Sequence, residues 1–353
     1  MPFPAKASGE PEPFYKEKIN ELYNKINIEN FNIGFVTDSH YDIGTWRKNA
    51  ELSLKNLNNL LYLQGKLECQ ICGGDNVDSE QTNVFANKQN MISYMRFFFS
   101  GNTDTFAIRG NHDAGSLYPY NKNGKVKLNE IISDNDFKQI LKTNSKTYGE
   151  VRDENSLYGF KDYPDKKIRV IFVDSIDNPI VVNSDGSLKY FAQWDYGYQQ
   201  QQLRWVAEQA LGTCPEDYHV VMFGHVPLRI RTDEEDRAHR NFNCLMNIIK
   251  TFVNKSSQKI KSTIPDFNVD FPIDYSTRSD SNFVGFFSGH DHVERLIDNN
   301  EFQTIVCDNA WAEDSTKIGT VEEDSFCIIE IDTSLRHVKL LGFGRSTDRS
   351  FNY

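Results

Sequence analysis

No apolar run in this 353-residue chain approaches the roughly 20 residues that a membrane-spanning helix needs. No membrane association is therefore expected. The opening stretch, MPFPAKASGEPEPF, lacks the apolar centre of a secretory leader. Cysteine is scarce, six in all, too few for a disulfide scaffold at this length. The expectation is a cytoplasmic protein with reduced thiols. One C-x-x-C, Cys69 and Cys72, lies inside the strand-like run LECQICGGD. No second pair completes a zinc site, so both read as core thiols. Basic charge is also in deficit: 39 Lys and Arg stand against 50 Asp and Glu, giving a net charge of −11 and a pI near 5.3. A long nucleic-acid footprint needs a broad basic face, which this balance argues against. A small anionic substrate gripped through bound cations remains compatible, because divalent ions reverse the local field.

Apolar residues make up 39% of the chain, and aromatics carry much of that load, with 25 Phe and 16 Tyr. There is no internal repeat. FYKEKINELYNKI places Tyr15, Ile19, Leu22 and Ile26 on one helical face. Strand and helix patterns then alternate. FNIGFVTD reads as a strand, and TWRKNAELSLKNLNNLLYL as a helix with Trp46, Ala50, Leu54, Leu57 and Leu61 on one stripe. LECQICGGD, NVFANKQNMISYMRFFF and TFAIRGNHD continue the rhythm as strand, helix and strand. Such alternation implies parallel pairing through crossover helices, with ligands bound at the carboxyl ends of the strands. KIRVIFVDS and YHVVMFGHVP read as further strands, YQQQQLRWVAEQAL and NFNCLMNIIKTFV as helices. The C-terminal strand-like runs are closely spaced, which suggests mixed or antiparallel pairing. The expected organisation is a tail and outer helix over residues 1–30, then one domain over 31–353. Insertions are expected near 114–166, 178–200 and 254–280.

The histidines are not scattered. His40, His112, His225, His290 and His292 follow directly on apolar, strand-like runs, whereas His219, His239 and His337 do not. Around them the chain reads D-x-H at Asp38 and His40, G-D-x-x-D at Asp75 and Asp78, and G-N-H-D at Asn111 and His112. G-H at His225 and G-H-x-H at His290 and His292 complete the series. On an extended segment, residues i and i+2 point to the same side, so Asp38 with His40, and His290 with His292, can serve one site. Glycines before the ligands let the backbone come close. Carboxylate and amide oxygens mixed with imidazole suit Mn, Fe or Zn. Each motif alone fits a surface turn; the ordered set points to a metal centre.

This set resembles the calcineurin-like metallophosphoesterase superfamily over roughly residues 31 to 310. The resemblance implies an α/β fold, a four-layer α/β/β/α sandwich of two mixed sheets flanked by helices, with two divalent ions at the strand ends. Asp38, His40, Asp75 and His292 would hold the first ion. Asp75 would bridge to a second held by Asn111, His225 and His290. His112 would donate a proton to the leaving oxygen, with Asp78 orienting it. The ions would polarise the phosphoryl oxygens and activate the attacking water.

The chain also departs from its relatives. The purple acid phosphatases carry Tyr at the position of Asp78, so an iron–tyrosinate site is not expected. The protein Ser/Thr phosphatases follow that position with Arg, where this chain has Ser79. Arg109 matches that branch and could contact a substrate phosphate, or simply pair with a neighbouring acid. YGYQQQQLRWVAEQAL is similar to a helix of the phosphodiesterase branch, with Trp205 expected to pack rather than touch substrate. Phosphodiester hydrolysis is the leading expectation. The alternatives are a nuclease of the double-strand-break-repair type, a phage-associated esterase acting on a cell-surface phosphate polymer, and a non-catalytic scaffold.

Overall fold

The structure is a computed structural model and describes residues 10–44, 47–81, 83–115, 125–231 and 238–353. Helix α1 (Lys16–Lys25) buries Ile19 and Leu22, with Tyr15 and Ile26 buried at its ends. Strands β1 (Phe31–Val36), β2 (Cys69–Cys72) and β3 (Asp104–Ala107) pair in parallel. They are linked by helices α2 (Leu52–Tyr62) and α3 (Val84–Phe98). The Asn83 side chain accepts from Ala86 N–H and starts α3 as an N-cap. Helix α2 begins later than its apolar stripe suggests. Trp46 of that stripe lies outside the described residues.

Helix α4 (Asp134–Ile140) and strand β4 (Gly159–Tyr163) both fall within the stretch expected to be a polar insertion. β4 is short and only half buried, so its alternation was too weak to read. It pairs antiparallel with β5 (Ile168–Phe172). The two-residue β6 (Tyr196–Gly197) precedes helix α5 (Gln200–Trp205), which runs into a π-helical turn at Val206–Leu211. Trp205 packs there against Tyr158 and Phe160, as expected of a core residue. β7 (His219–Phe223) is followed by β8 (His239–Arg240), which pairs with β6, and by helix α6 (Phe242–Val253). β9 (Ser257–Ser262) and β10 (Val269–Asp274) form a separate hairpin-like pair in the third expected insertion. The remaining strands are β11 (Asn282–Ser288), β12 (Arg295–Asp298), β13 (Gln303–Val306), β14 (Ser325–Asp332), β15 (His337–Gly344) and β16 (Arg349–Asn352).

Two six-stranded mixed sheets result, ordered β16-β15-β14-β1-β2-β3 and β12-β13-β11-β7-β5-β4. Between them lies a core in which Phe31, Ile33, Phe35 and Ile71 of the first sheet meet Val170, Phe172, Val221 and Phe223 of the second. Two further cores fill the spaces between the sheets and the helices. The expected four-layer sandwich is what forms. The parallel strands β1, β2, β3, β7 and β11 end at one edge, and the residues that follow them build the site. All six cysteines are buried, and none is joined in a disulfide. Among the described residues no helix is long and apolar enough to cross a membrane.

Candidate metal centre

Asp38 and His40 follow β1, Asp75 and Asp78 follow β2, and Asn111 and His112 follow β3. His225 follows β7, and His290 and His292 follow β11. The carboxylates, Asn111, His40 and His225 are buried, while His112, His290 and His292 are half-buried.

The backbone achieves this differently from the expected extended segment. Asp38 and His40 have φ of 52° and 44°, Asp75 of 48°, and His290 and His292 of 71° and 53°. A left-handed conformation costs a non-glycine residue of order 1 kcal/mol or more. Hydrogen bonds hold these turns in place: Asp38 N–H donates to Gly74 O, His40 N–H to Asp75 O, and His290 N–H to the Asp38 carboxylate. Paired side chains thus converge through tight left-handed turns, not through the pleat. Gly110 and Gly289 permit the close packing, since a Cβ on either would collide with Asp75 or with the Asp38 carboxylate.

Two groups of ligand atoms share one carboxylate. Asp38, His40, Asp75 and His292 bring their donor atoms within 4.8 Å of one another, as do Asp75, His225 and His290. In the first group His40 Nε2 lies 2.9 Å from His292 Nε2, which lies 3.3 Å from Asp38 Oδ1. In the second, Asn111 Oδ1 lies 3.0 Å from His225 Nε2 and 2.9 Å from His290 Nδ1. Asp75 Oδ2 stands 3.3 Å from His225 Nε2 and 3.8 Å from His40 Nε2, facing both.

The neighbours set the tautomers. His225 Nδ1 faces Gly73 O at 3.0 Å, and a ring nitrogen against a carbonyl carries the proton, so Nε2 turns a lone pair toward Asn111 Oδ1. His40 Nδ1 faces Asp78 Oδ1 at 2.9 Å, which leaves its Nε2 lone pair toward His292. Acceptors gathered this closely call for cations or protons between them. The donor set of imidazole, carboxylate and amide oxygen therefore fits a pair of divalent cations.

The electrostatics divide the imidazoles. Burial pulls His40 down to about 4 and His290 to about 3, favouring neutral ligand forms. Asp75 and Asp38 instead outweigh burial to carry His225 up to about 9 and to raise His292, so these two favour a proton where a cation would otherwise sit. Burial would raise Asp38, but the His292 and His225 imidazoles bring it to about 2; Asp75 is likewise held well below the usual carboxylate range. Burial opposes charge on His112, yet the Asp75 and Asp78 carboxylates raise its pKa.

Asp78 does more than the sequence suggested. Its Oδ1 lies 3.2 Å from His112 Nδ1, an ion-pair contact off the ring N–H axis, and it also accepts the straighter bond from His40. Its Oδ2 lies 2.7 Å from Arg47 Nε. Arg47 stacks on Trp311, 4.2 Å from guanidinium carbon to ring centre. The sequence reading missed this pair. Trp311 follows β13 at the same edge, which was the available signal. It also missed Gln193 and Tyr196. Gln193 Nε2 lies 3.2 Å from His112 Nε2, its main-chain O accepts from Asn111 Nδ2, and Tyr196 sets its ring 5.1 Å from His290. Asp113 accepts from Gly110 N–H, Val77 N–H and Asn76 Nδ2, tying the second and third strand-end loops together.

Of the two roles left open for Arg109, the structure shows the pairing with acids. Its Nε and Nη2 grip Asp174, Nη1 reaches Asp134 at 2.7 Å, and Nη2 also donates to Ile176 O. The two carboxylates, opposing burial, hold the guanidinium strongly in its charged form. Pairing with neighbouring acids is what the structure shows for it.

Residues 31–294 match the family model described as calcineurin-like phosphoesterase. A dimetal phosphatase from Danio rerio shares the fold at 16% identity, with a TM-score of 0.59, covering 92% of this chain and 99% of the other. GAP50, the anchor in the inner membrane complex of Plasmodium, aligns at 11% identity and a TM-score of 0.44, covering 92% of this chain and 89% of its own. No curated protein matches the sequence.

Proposed function

The chain belongs to the calcineurin-like phosphoesterase family, and from that premise we propose that it hydrolyses phosphate esters, phosphodiesters ahead of monoesters, with two divalent cations held by the strand-end residues. Asp38, His40, Asp75 and His292 hold one; Asp75, Asn111, His225 and His290 hold the other. The observation that carries this reading is Asp75, whose Oδ2 faces imidazoles of both groups. Bound cations of this kind supply Lewis-acid polarisation of the phosphoryl oxygens and make a water acidic enough to attack near neutral pH.

The remaining work falls to the chain. His40 and His225 are oriented by Asp78 and Gly73, which keeps their lone pairs inward. His112 lies 3.2 Å from Asp78 Oδ1, and the Asp75 and Asp78 carboxylates raise its pKa against burial, so it is placed to pass a proton to the departing oxygen. The preference for diesters rests on charge. Arg109 and Arg47 are both engaged by carboxylates, and Ser79 stands where a phosphate-binding Arg occurs in the protein phosphatases. A monoanionic diester asks for less positive charge than a dianionic monoester.

The test is turnover by Mn-loaded protein of bis-(p-nitrophenyl) phosphate against p-nitrophenyl phosphate. The diester should be cleaved with the higher kcat/KM. The reverse order would make the protein a monoesterase, and no turnover of either by protein with full metal content would overturn the assignment.

A further inference from the structure

Beside the metal edge lies a cavity of about 280 Å³, between the segments 128–137 and 176–192. Its walls are largely apolar, with Leu128, Ile131, Phe137, Ile176, Leu188 and Phe191 among them. Two other wall residues connect it to the reaction centre. Ala114 follows His112 by two positions, and Ala192 precedes Gln193, whose amide nitrogen lies 3.2 Å from His112 Nε2. The two chain segments that meet at His112 Nε2 therefore also wall the cavity. The charge on the wall disfavours an anion there: Arg109 is neutralised by Asp174 and by Asp134, itself a wall residue. A cavity of about 150 Å³ lined by apolar side chains is enough to hold benzene.

We propose that this cavity is the leaving-group subsite, taking an uncharged, ring-sized apolar group on the alcohol that departs from phosphorus. The assignment rests on the phosphoesterase reading above. In that reaction the water oxygen bonds to phosphorus and its proton passes to solvent, the bond from phosphorus to the alcohol oxygen breaks, and that oxygen takes the proton from His112, which solvent then restores. A ring seated in the cavity holds the oxygen on the His112 side of the phosphate. Burying such a ring contributes binding energy that a methyl group cannot.

The experiment compares methyl benzyl phosphate with dimethyl phosphate, both with alkyl oxygens as leaving groups, on the Mn-loaded protein. Benzyl alcohol release should exceed methanol release from dimethyl phosphate by about tenfold or more in kcat/KM, the range that hydrophobic pockets discriminate. Leu128→Trp and Ile180→Asp alter wall positions that are 47% and 62% exposed, where the fold tolerates change. Both should erase the benzyl preference and leave dimethyl phosphate turnover unaltered. Saturation-transfer NMR with benzyl alcohol on the metal-free protein reads the cavity without turnover. Benzyl alcohol binding that Leu128→Trp abolishes, with no ester hydrolysed, would support the apolar site and overturn the phosphoesterase reading. Hydrolysis without a benzyl preference, or a preference that survives both substitutions, would overturn the subsite.

Discussion

Strand β7 carries a histidine toward each end, and the two have nothing in common but the residue type. His219 begins the strand. Its Nδ1 lies 2.8 Å from the hydroxyl of Tyr353, and burial lowers its pKa. His225 follows the strand by two residues. It is fully buried, faces Asn111 Oδ1 and Asp75 Oδ2, and is carried up to about 9 because Asp75 outweighs the opposing burial. The carboxyl edge is where the loops of β1, β2, β3 and β11 also arrive, so carboxylates and imidazoles accumulate there. At the opposite edge His219 meets a tyrosine and is satisfied as a packing residue. Position in the topology, not histidine chemistry, makes the site.

The contrast can be broken most severely at Asp75. Asp75→Asn removes the shared charge from both groups, so elemental analysis should find the metal content falling at both positions. Several kcal/mol of transition-state stabilisation would go with the ions, about 10³-fold or more in kcat. Next in size is His112→Ala, expected to lose about 10²–10⁴-fold for alkyl leaving groups. The loss should be small for p-nitrophenoxide, which needs no proton. An equal loss for both leaving groups would reduce His112 to a positioning role.

Asp78→Asn sharpens the comparison within the site. Because Asp78 orients His40 as well as His112, the substitution should weaken the first cation's binding by about 10–100-fold, the usual effect of removing a ligand's partner. The carboxylate also raises the pKa of His112. Its removal lowers that pKa, so the protonated acid is lost at a lower pH and the basic limb of the kcat profile moves down. A pH titration at saturating Mn separates this from metal loss. The smallest effect belongs to the other end of β7. His219→Phe breaks one hydrogen bond with Tyr353, worth about 1 kcal/mol. Thermal unfolding should register that, while metal content and kcat stay unchanged.

Much of the site was legible because each strand end carries its chemistry in a short motif. An apolar run ending in G-H-x-H or G-D-x-x-D marks both the strand and the ligand that follows it. The left-handed turns at Asp38 and His40 were not legible, since a two-residue spacing fits an extended segment equally well. Gln193, Tyr196 and Arg47 were also invisible. They reach the site from loops without periodicity, and nothing local tells a Gln that an imidazole lies 3.2 Å away. Arg109 shows the limit of a motif: the sequence left a phosphate contact and an acid pairing both open, and the partners its guanidinium grips, Asp174 and Asp134, are distant in sequence.

The central claim is that Asp75 serves two cations at once, and the metal stoichiometry of the Mn-loaded protein tests it most directly. Elemental analysis of the unaltered chain should find two ions per chain, with electron paramagnetic resonance showing the spin coupling of a pair roughly 3.5 Å apart. One ion or fewer per chain, or two without coupling, would contradict the account.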